Sequence, residues 1–229
     1  MTDLPPIRLQ KHLSQEGICS RREAEAYIKK GWITLNGKTA QLGDTIDPSV
    51  DTLELSNQIQ QDQDNCVLIA FHKPRGVVTN CPQKGETEIT DLLPDHLKHL
   101  NAIGRLDKDS EGLILLTDSG QISKSYLAAD VPHERVYQVW LNAAITTLQI
   151  QKLETGITLF GSKTKSLRIS KQSETMITMT MREGKNRQIR RMIQKVGLQV
   201  TRLKRLQFGE HTLGSLQKGS FRSLINPTD

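Results

Sequence analysis

The stretch GRLDKDSEGLILLTDSG, Gly104–Gly120, runs from a charge-rich turn through the apolar block Leu113–Leu116 into a second turn-like cluster. Read locally, it is a loop, a buried strand and a helix start. Asp109 and Ser110 are turn formers, because their short polar side chains hydrogen-bond nearby backbone. Asp118 precedes Ser119-Gly120-Gln121 and is placed to cap the next helix, with Gln121 at its third position. Asp107 is harder to dismiss. It lies between Arg105 and Lys108, whose charges favour its anion and suit it to act as nucleophile or base. On local grounds a structural ion pair is the favoured reading of Asp107.

From Cys66 onward the same texture recurs, with short apolar runs between turn residues: CVLIAFHKPRG, GLILLT, VYQVWL, LRISK and TMITMTM. In the last, Met176, Thr178 and Thr180 alternate with Ile177, Met179 and Met181, the period of a strand. TDLLPDHLKHL, SGQISKSYLAA and NRQIRRMIQKVG read as helices between them. Strands that follow one another without regular βαβ alternation predict an α+β domain with a mixed, mostly antiparallel sheet flanked by helices.

Upstream lies a smaller unit. RLQKHLSQEG predicts a helix ending at Gly17, and SRREAEAYIKKG a second, with Ser20 and Glu23 as a capping box and Gly31 as its left-handed stop. Asn36-Gly37 in WITLNGKTA marks a hairpin. The expected boundaries are 7–55 for this unit, a linker over 56–65 in the polar SNQIQQDQDN, and 66–229 for the larger domain.

The 229-residue chain carries 31 Lys and Arg against 25 Asp and Glu, a net +6, which favours a polyanionic partner. Nine of those cations fall between Arg182 and Arg205 beside a single acid, Glu183. Ile189, Met192, Ile193 and Val196 form an apolar helix face there, with Arg187, Arg190, Arg191 and Lys195 largely off it. Aromatics are 4% of the chain, so a sheet of stacking rings is not expected. Three scattered cysteines, no signal-like start and no apolar run near the ~20 residues of a bilayer span predict a reducing cytoplasm. No phosphate loop, dinucleotide fingerprint or GxSxG elbow occurs, and the pair His96 and His99 lacks companions for a metal site. No cofactor and no metal are expected.

Two resemblances join these features. RLQKHLSQEGICSRREAEAYIKKGWITLNGK resembles the S4 RNA-binding domain, a small helix–helix–β fold that presents its helices to structured RNA. HKPRGVVT, GRLDKDSEGLILLT, ERVYQV and GKNRQIRR resemble, in order, the four motifs of the RsuA-type pseudouridine synthases. GITLFGSKTKSLRI and the segment after Gly184 look closer to the RluF-like, large-subunit rRNA branch, and Arg135 stands where the family often has lysine. The resemblance implies a catalytic set of Asp107, Tyr137 and Arg190, with Tyr137 stacked on the target base and Arg190 paired with Asp107. It further implies RNA contacts by Arg8, Lys11, Arg21, Arg22, Lys29, Lys30, Arg105, Lys185, Arg187 and Arg191. The expected activity is isomerisation of a flipped-out uridine in ribosomal RNA, 23S rRNA in particular, by a monomeric enzyme, with the sequence leaving open whether tRNA is also a substrate. Asp107 would attack C1′ or C6 or assist deprotonation at C2′, and Tyr137 would shuttle a proton as well as stack on the ring. The competing expectation is a non-catalytic S4-type RNA-binding or ribosome-assembly factor in which Asp107 is a structural anion.

Overall fold

The computed structural model describes residues 6–128 and 133–225. It separates into two compact units: the described residues up to Leu68 with Thr117–Ser125 and Ile225, and Ile69–Leu116 with Tyr126–Leu224.

In the first unit, β1 (Ile7–Arg8) leads into α1 (Leu9–Gln15) and α2 (Arg21–Lys29), followed by β2 (Ile33–Leu35), β3 (Lys38–Thr39), β4 (Thr45–Ile46) and β5 (Leu53–Leu55). Leu9, Leu13, Ala24, Tyr27, Ile28, Ile33 and Ile46 make its core. The capping box forms as expected: the Ser20 side chain accepts from the Glu23 N–H and Glu23 accepts from the Ser20 N–H. Gly31 takes the left-handed stop at φ 72°. The Asn36-Gly37 turn is left-handed at both residues, φ 51° and 74°. The segment 56–65 corrects the expectation of a linker. It is α3 (Asn57–Asp64), capped by Ser56 and anchored by Ile59 in the core. One apolar residue on one face is a weak periodic signal, yet burial of Ile59 and a bond from the Tyr27 hydroxyl to Asp62 (3.0 Å) suffice to seat it.

A nine-stranded sheet organises the second unit. Its strands are β6 (Leu68–Lys73), β7 (Asn101–Ile103), β8 (Glu111–Thr117), β9 (Arg135–Leu141), β12 (Arg168–Ser173), β13 (Met176–Met181), β14 (Val200–Phe208), β15 (His211–Thr212) and β16 (Phe221–Ile225). The main order is β12-β13-β9-β14-β8-β6-β16, with β15 on β14 and β7 on β8. β12, β13, β9 and β14 pair antiparallel, while β14 and β8 run parallel, so the sheet is mixed. A two-stranded hairpin, β10 (Thr158–Leu159) and β11 (Ser162–Lys163), stands apart from it. Every residue of β8 is buried: Leu113–Leu116 as their apolar run dictates, and Glu111 and Thr117 although they are polar. On β13 Ile177, Met179 and Met181 are the buried set.

The remaining helices are α4 (Gly120–Leu127), α5 (Thr147–Glu154) and α6 (Gln188–Lys195). On α6 Ile189, Met192 and Ile193 are buried; Val196 falls past the helix end and is half-exposed. Thr90–Leu100 holds only two 3₁₀ turns, Ile89–Leu92 and Asp95–Leu97, instead of the expected helix. Pro94 between them lacks an N–H and forces the preceding residue out of helical geometry. At the end of β8 the cap is Ser119, whose Oγ accepts from Ile122 N (3.3 Å). Asp118 instead accepts the Val67 N–H at 2.8 Å, because β8 continues to Thr117 and leaves Asp118 beside the start of β6. No helix among the described residues is long and apolar enough to cross a membrane.

Candidate active site

Asp107 lies in the loop between β7 and β8, and the segment 73–79 clasps that loop from below. Lys73 Nζ donates to the carbonyls of Ser110 (2.8 Å) and Pro74 (3.0 Å). Gly76 N donates to Lys108 O (2.8 Å), and the Thr79 hydroxyl donates to Leu106 O (2.6 Å) while accepting from Leu106 N (3.1 Å). Ser110 N closes the turn on Asp107 O at 3.0 Å. These bonds leave the backbone around Asp107 little freedom, and a carboxylate is held by the rigidity of its loop rather than by its own contacts.

The loop's other face meets α6. Arg187 donates to both Asp109 oxygens (3.1 and 3.2 Å) and its Nη1 lies 3.6 Å from Asp107 Oδ2. Arg190 Nη2 donates to Asp109 O (3.0 Å) and lies 3.2 Å from Asp109 Oδ2; its Nη1 donates to Val200 O at 3.2 Å. The expected Arg190–Asp107 contact is electrostatic and not a direct ion pair: Arg187 makes the ion pair with Asp107, Arg190 makes its own with Asp109, and the Asp107 charge opposes the lowering that burial imposes on Arg190. The reason is backbone geometry. Arg187 sits left-handed (φ 49°) at the start of α6 and reaches across both aspartates, while Arg190, one turn on, points at the turn backbone. Asp109 thus does more than form a turn. Burial pushes its carboxyl up, but the Arg187 hydrogen bonds and the Arg190 charge outweigh this and hold it below the usual range.

Tyr137 comes from β9, opposite Met179 on β13 and Arg205 on β14, and is almost fully buried. Asp107, Tyr137 and Arg190 all line one cavity of about 400 Å³, together with Leu106, Leu203 and Phe208. A second cavity of about 500 Å³ shares Arg105, Asp107 and Arg187 with it.

Arg205 and Arg135 line this cavity, and Glu111 and Lys73 are buried charges of the same unit. Arg205 is 3% exposed; its Nε donates to Leu113 O (2.6 Å), and its buried Nη2 has no partner among the described residues. The guanidinium carbons of Arg205 and Arg135 each lie 4.9 Å from the Phe208 ring, so one ring carries two cations. Burial lowers the Arg135 guanidinium, with Tyr137 opposing and Arg205 adding to that shift. Glu111 is 2% exposed, bonded by Arg202 Nε and by Lys218 Nζ (3.0 Å). Burial pushes it up, yet those two cations carry it below the usual glutamate range. Lys73 is fully buried; desolvation brings it down to about 8, with Asp107, Asp109 and Glu111 opposing. The sequence signal for Lys73 is a cation that continues an apolar run up to Pro74.

The other expected contacts divide between the units. Arg8, Lys11, Arg21, Arg22, Lys29 and Lys30 belong to the first, all exposed. Arg8 donates to Gly43 O, and Lys30 pairs with Asp62 (3.4 Å) while lying 4.1 Å over the Trp32 ring. Arg105, Lys185, Arg187 and Arg191 belong to the second, where Arg105, Lys185 and Arg187 line the cavity.

A family model described as RNA pseudouridylate synthase matches residues 67–195, and one described as S4 domain matches residues 7–51. The chain is 37% identical to the dual-specificity RNA pseudouridine synthase RluF of Escherichia coli K12, over 96% of this chain and 76% of that protein. It is 34% identical to the ribosomal large subunit pseudouridine synthase B of Bacillus subtilis, over 95% of this chain and 91% of that one. A crystal structure of a pseudouridylate synthase superposes with a TM-score of 0.70 at 26% identity, covering 96% of both chains. The chain belongs to the RNA pseudouridine synthases, in the RsuA-type branch that joins an S4 domain to the catalytic fold.

Proposed function

We propose that this enzyme isomerises uridine to pseudouridine in ribosomal RNA of the large subunit, with residues 7–55 gripping RNA and residues 66–229 carrying the chemistry. The observation that carries the site is the convergence of Asp107, Tyr137 and Arg190, from a loop, a strand and a helix, on one cavity. The rRNA target is supported by the large-subunit relative from Bacillus subtilis. Isomerisation breaks N1–C1′, forms C1′–C5, removes the C5 proton and leaves N1 protonated, with no net redox change, so it needs a positioned carboxylate, a place to hold the detached uracil and a route for the C5 proton, to Tyr137 or to water. Asp107 supplies the anion at the ribose–base junction. Tyr137 packs on the ring, and Arg187 and Arg190 hold the aspartate loop against the electrostatic strain of a carboxylate pair. The uridine leaves its stack to reach the cavity, a cost of a few kcal/mol that a loop or bulge lowers. The unpartnered Arg205 Nη2 offers a uracil carbonyl or a phosphate the charge-assisted hydrogen bond that the protein leaves unmade.

Replacing Asp107 by Asn keeps the shape and removes the anion. Pseudouridine formation in rRNA then falls below detection while RNA affinity stays within about twofold, read by site mapping of rRNA and by filter binding. Turnover surviving in Asp107→Asn overturns the assignment of Asp107. Unchanged rRNA pseudouridine content on deletion of the whole gene supports instead the non-catalytic binding factor.

A further inference from the structure

Two of the tight hairpin turns, one in each unit, share a backbone that is left-handed at both central residues and differ in one residue. In the first unit the turn is Asn36-Gly37, with φ of 51° and 74°; in the second it is Phe160-Gly161, with φ of 53° and 77°. Such turns need left-handed backbone at both central residues, which Asn and Gly adopt readily and a bulky residue does not. Asn36 also uses its side chain, donating to Asp51 Oδ1 (2.8 Å) and accepting from Thr52 N (2.9 Å). Phe160 makes neither kind of bond. It stands 64% exposed, with no polar tip to justify that exposure.

The hairpin is not a floppy excursion that lets a ring drift. Its base is fixed by Thr164 N to Ile157 O (3.0 Å) and Ile157 N to the Thr164 hydroxyl (3.0 Å), and Leu159 beside the tip is buried. Leu159, the last residue of β10, is buried, and Phe160, the first residue of the turn, stands out. The ring meets a cation: Arg191 Cζ lies 4.6 Å from its centroid. A cleft of about 560 Å³ opens beside the pair, lined also by Gln194 and Lys195, and none of its lining residues is acidic. Arg191 Nε is buried without a partner among the described residues, and Lys185 Nζ rests on Ser162 Oγ (3.1 Å) at the start of β11.

We propose that Phe160, with Arg191 and Lys195, forms a second nucleotide-binding site, a platform on which an unpaired base of the substrate RNA stacks while its phosphate meets the two cations. An exposed aromatic among uncompensated cations fits a nucleotide, which offers a π-face and a negative charge about one sugar apart. α6 links this platform to the cavity. Arg190 serves the Asp107 loop and its neighbour Arg191 the cleft, so a strand that delivers one base to the cavity crosses α6 and reaches the platform with a flanking base. The platform rests on the RNA substrate argued above, and its test is independent of turnover.

The full-length protein is titrated with a short oligouridylate and with an abasic ribose-phosphate chain of equal length, by fluorescence anisotropy. Phe160→Asn and Phe160→Ala weaken oligouridylate binding by about tenfold and leave abasic binding unchanged, the size expected for the removal of one base stack. Phe160→Trp retains the affinity. Phe160→Asn, given the residue this turn prefers, melts at the same or a higher temperature. Oligouridylate affinity unaltered in Phe160→Asn overturns the platform and points to a protein contact or no contact at all. Equal losses for both ligands, or a lower melting temperature with restored binding in no variant, overturn it in favour of a structural ring. Because Asp107→Asn is scored by turnover and Phe160→Asn by binding, either proposal can fail alone.

Discussion

Charge is used in two opposite ways in this molecule. In the second unit, Lys73, Glu111 and Arg205 are almost wholly withdrawn from water, and each is committed to a backbone carbonyl or an opposite charge. On the helices of the first unit, Arg21, Arg22 and Lys29 are exposed, and among the described residues no carboxylate lies within ion-pair distance. Buried charges interact through a low dielectric and are costly unless their partners are placed to within fractions of an ångström, so they act as fasteners of a loop. Exposed ones are screened within about 10 Å at ordinary salt and fasten nothing, but their field draws a polyanion. The catalytic half of the chain depends on register; the S4 half depends on sign.

That contrast is most easily broken at Gly112. It pairs in parallel with Arg205 at φ 111°, and a Cβ there would overlap the Arg205 backbone. Gly112→Ala is expected to cost more than ~3 kcal/mol by urea unfolding, since backbone on both sides must move. Survival of wild-type stability would mean that the buried charges tolerate a shifted register.

Lys73 gives a smaller effect with a definite sign. Its folded value is about 8 against an ordinary 10.5. Between those two values the unfolded chain holds a proton that the folded chain has released, so stability rises with pH across that window, by at most ~1.4 kcal/mol per pH unit. Lys73→Met should flatten this slope between pH 8 and 10 in a series of chemical denaturation curves. An unchanged slope would show that the lysine is not desolvated in the folded protein.

The smallest expected effect is in the first unit. Arg21→Ala with Arg22→Ala should change stability by less than ~0.5 kcal/mol. RNA affinity should fall a few-fold, and the slope of log affinity against log salt should flatten by about 0.7 to 0.9 for each phosphate no longer neutralised. A change in melting temperature without a change in salt slope would make these arginines structural.

Features whose cause is local were legible in the chain. The Ser20–Glu23 capping box, the Asn36-Gly37 turn, the alternation of β13 and the apolar face of α6 each depend on residues a few positions apart. α3 and α5 escaped sequence reading because each buries a single apolar side chain, although Thr146 and Gln149 form a capping box that marked the start of α5. Asp118 failed as a cap for a different reason. Both Asp118 and Ser119 suit that role, and only the length of β8 chooses between them.

The catalytic candidates divide in the same way. Asp107, Tyr137 and Arg190 were named from ordered motifs, which record residue types along the chain. Only the folded chain decides that Arg187, left-handed at the start of α6, faces Asp107 while Arg190 faces Asp109, and that Lys73 and Arg205 are buried at all. Turns, strand and helix faces, basic character and motif residues can be read along the chain, since they follow from side-chain chemistry at short range. The tertiary structure alone decided which charges lose their water and which partners they meet, because desolvation and ion pairing depend on distances between residues tens of positions apart.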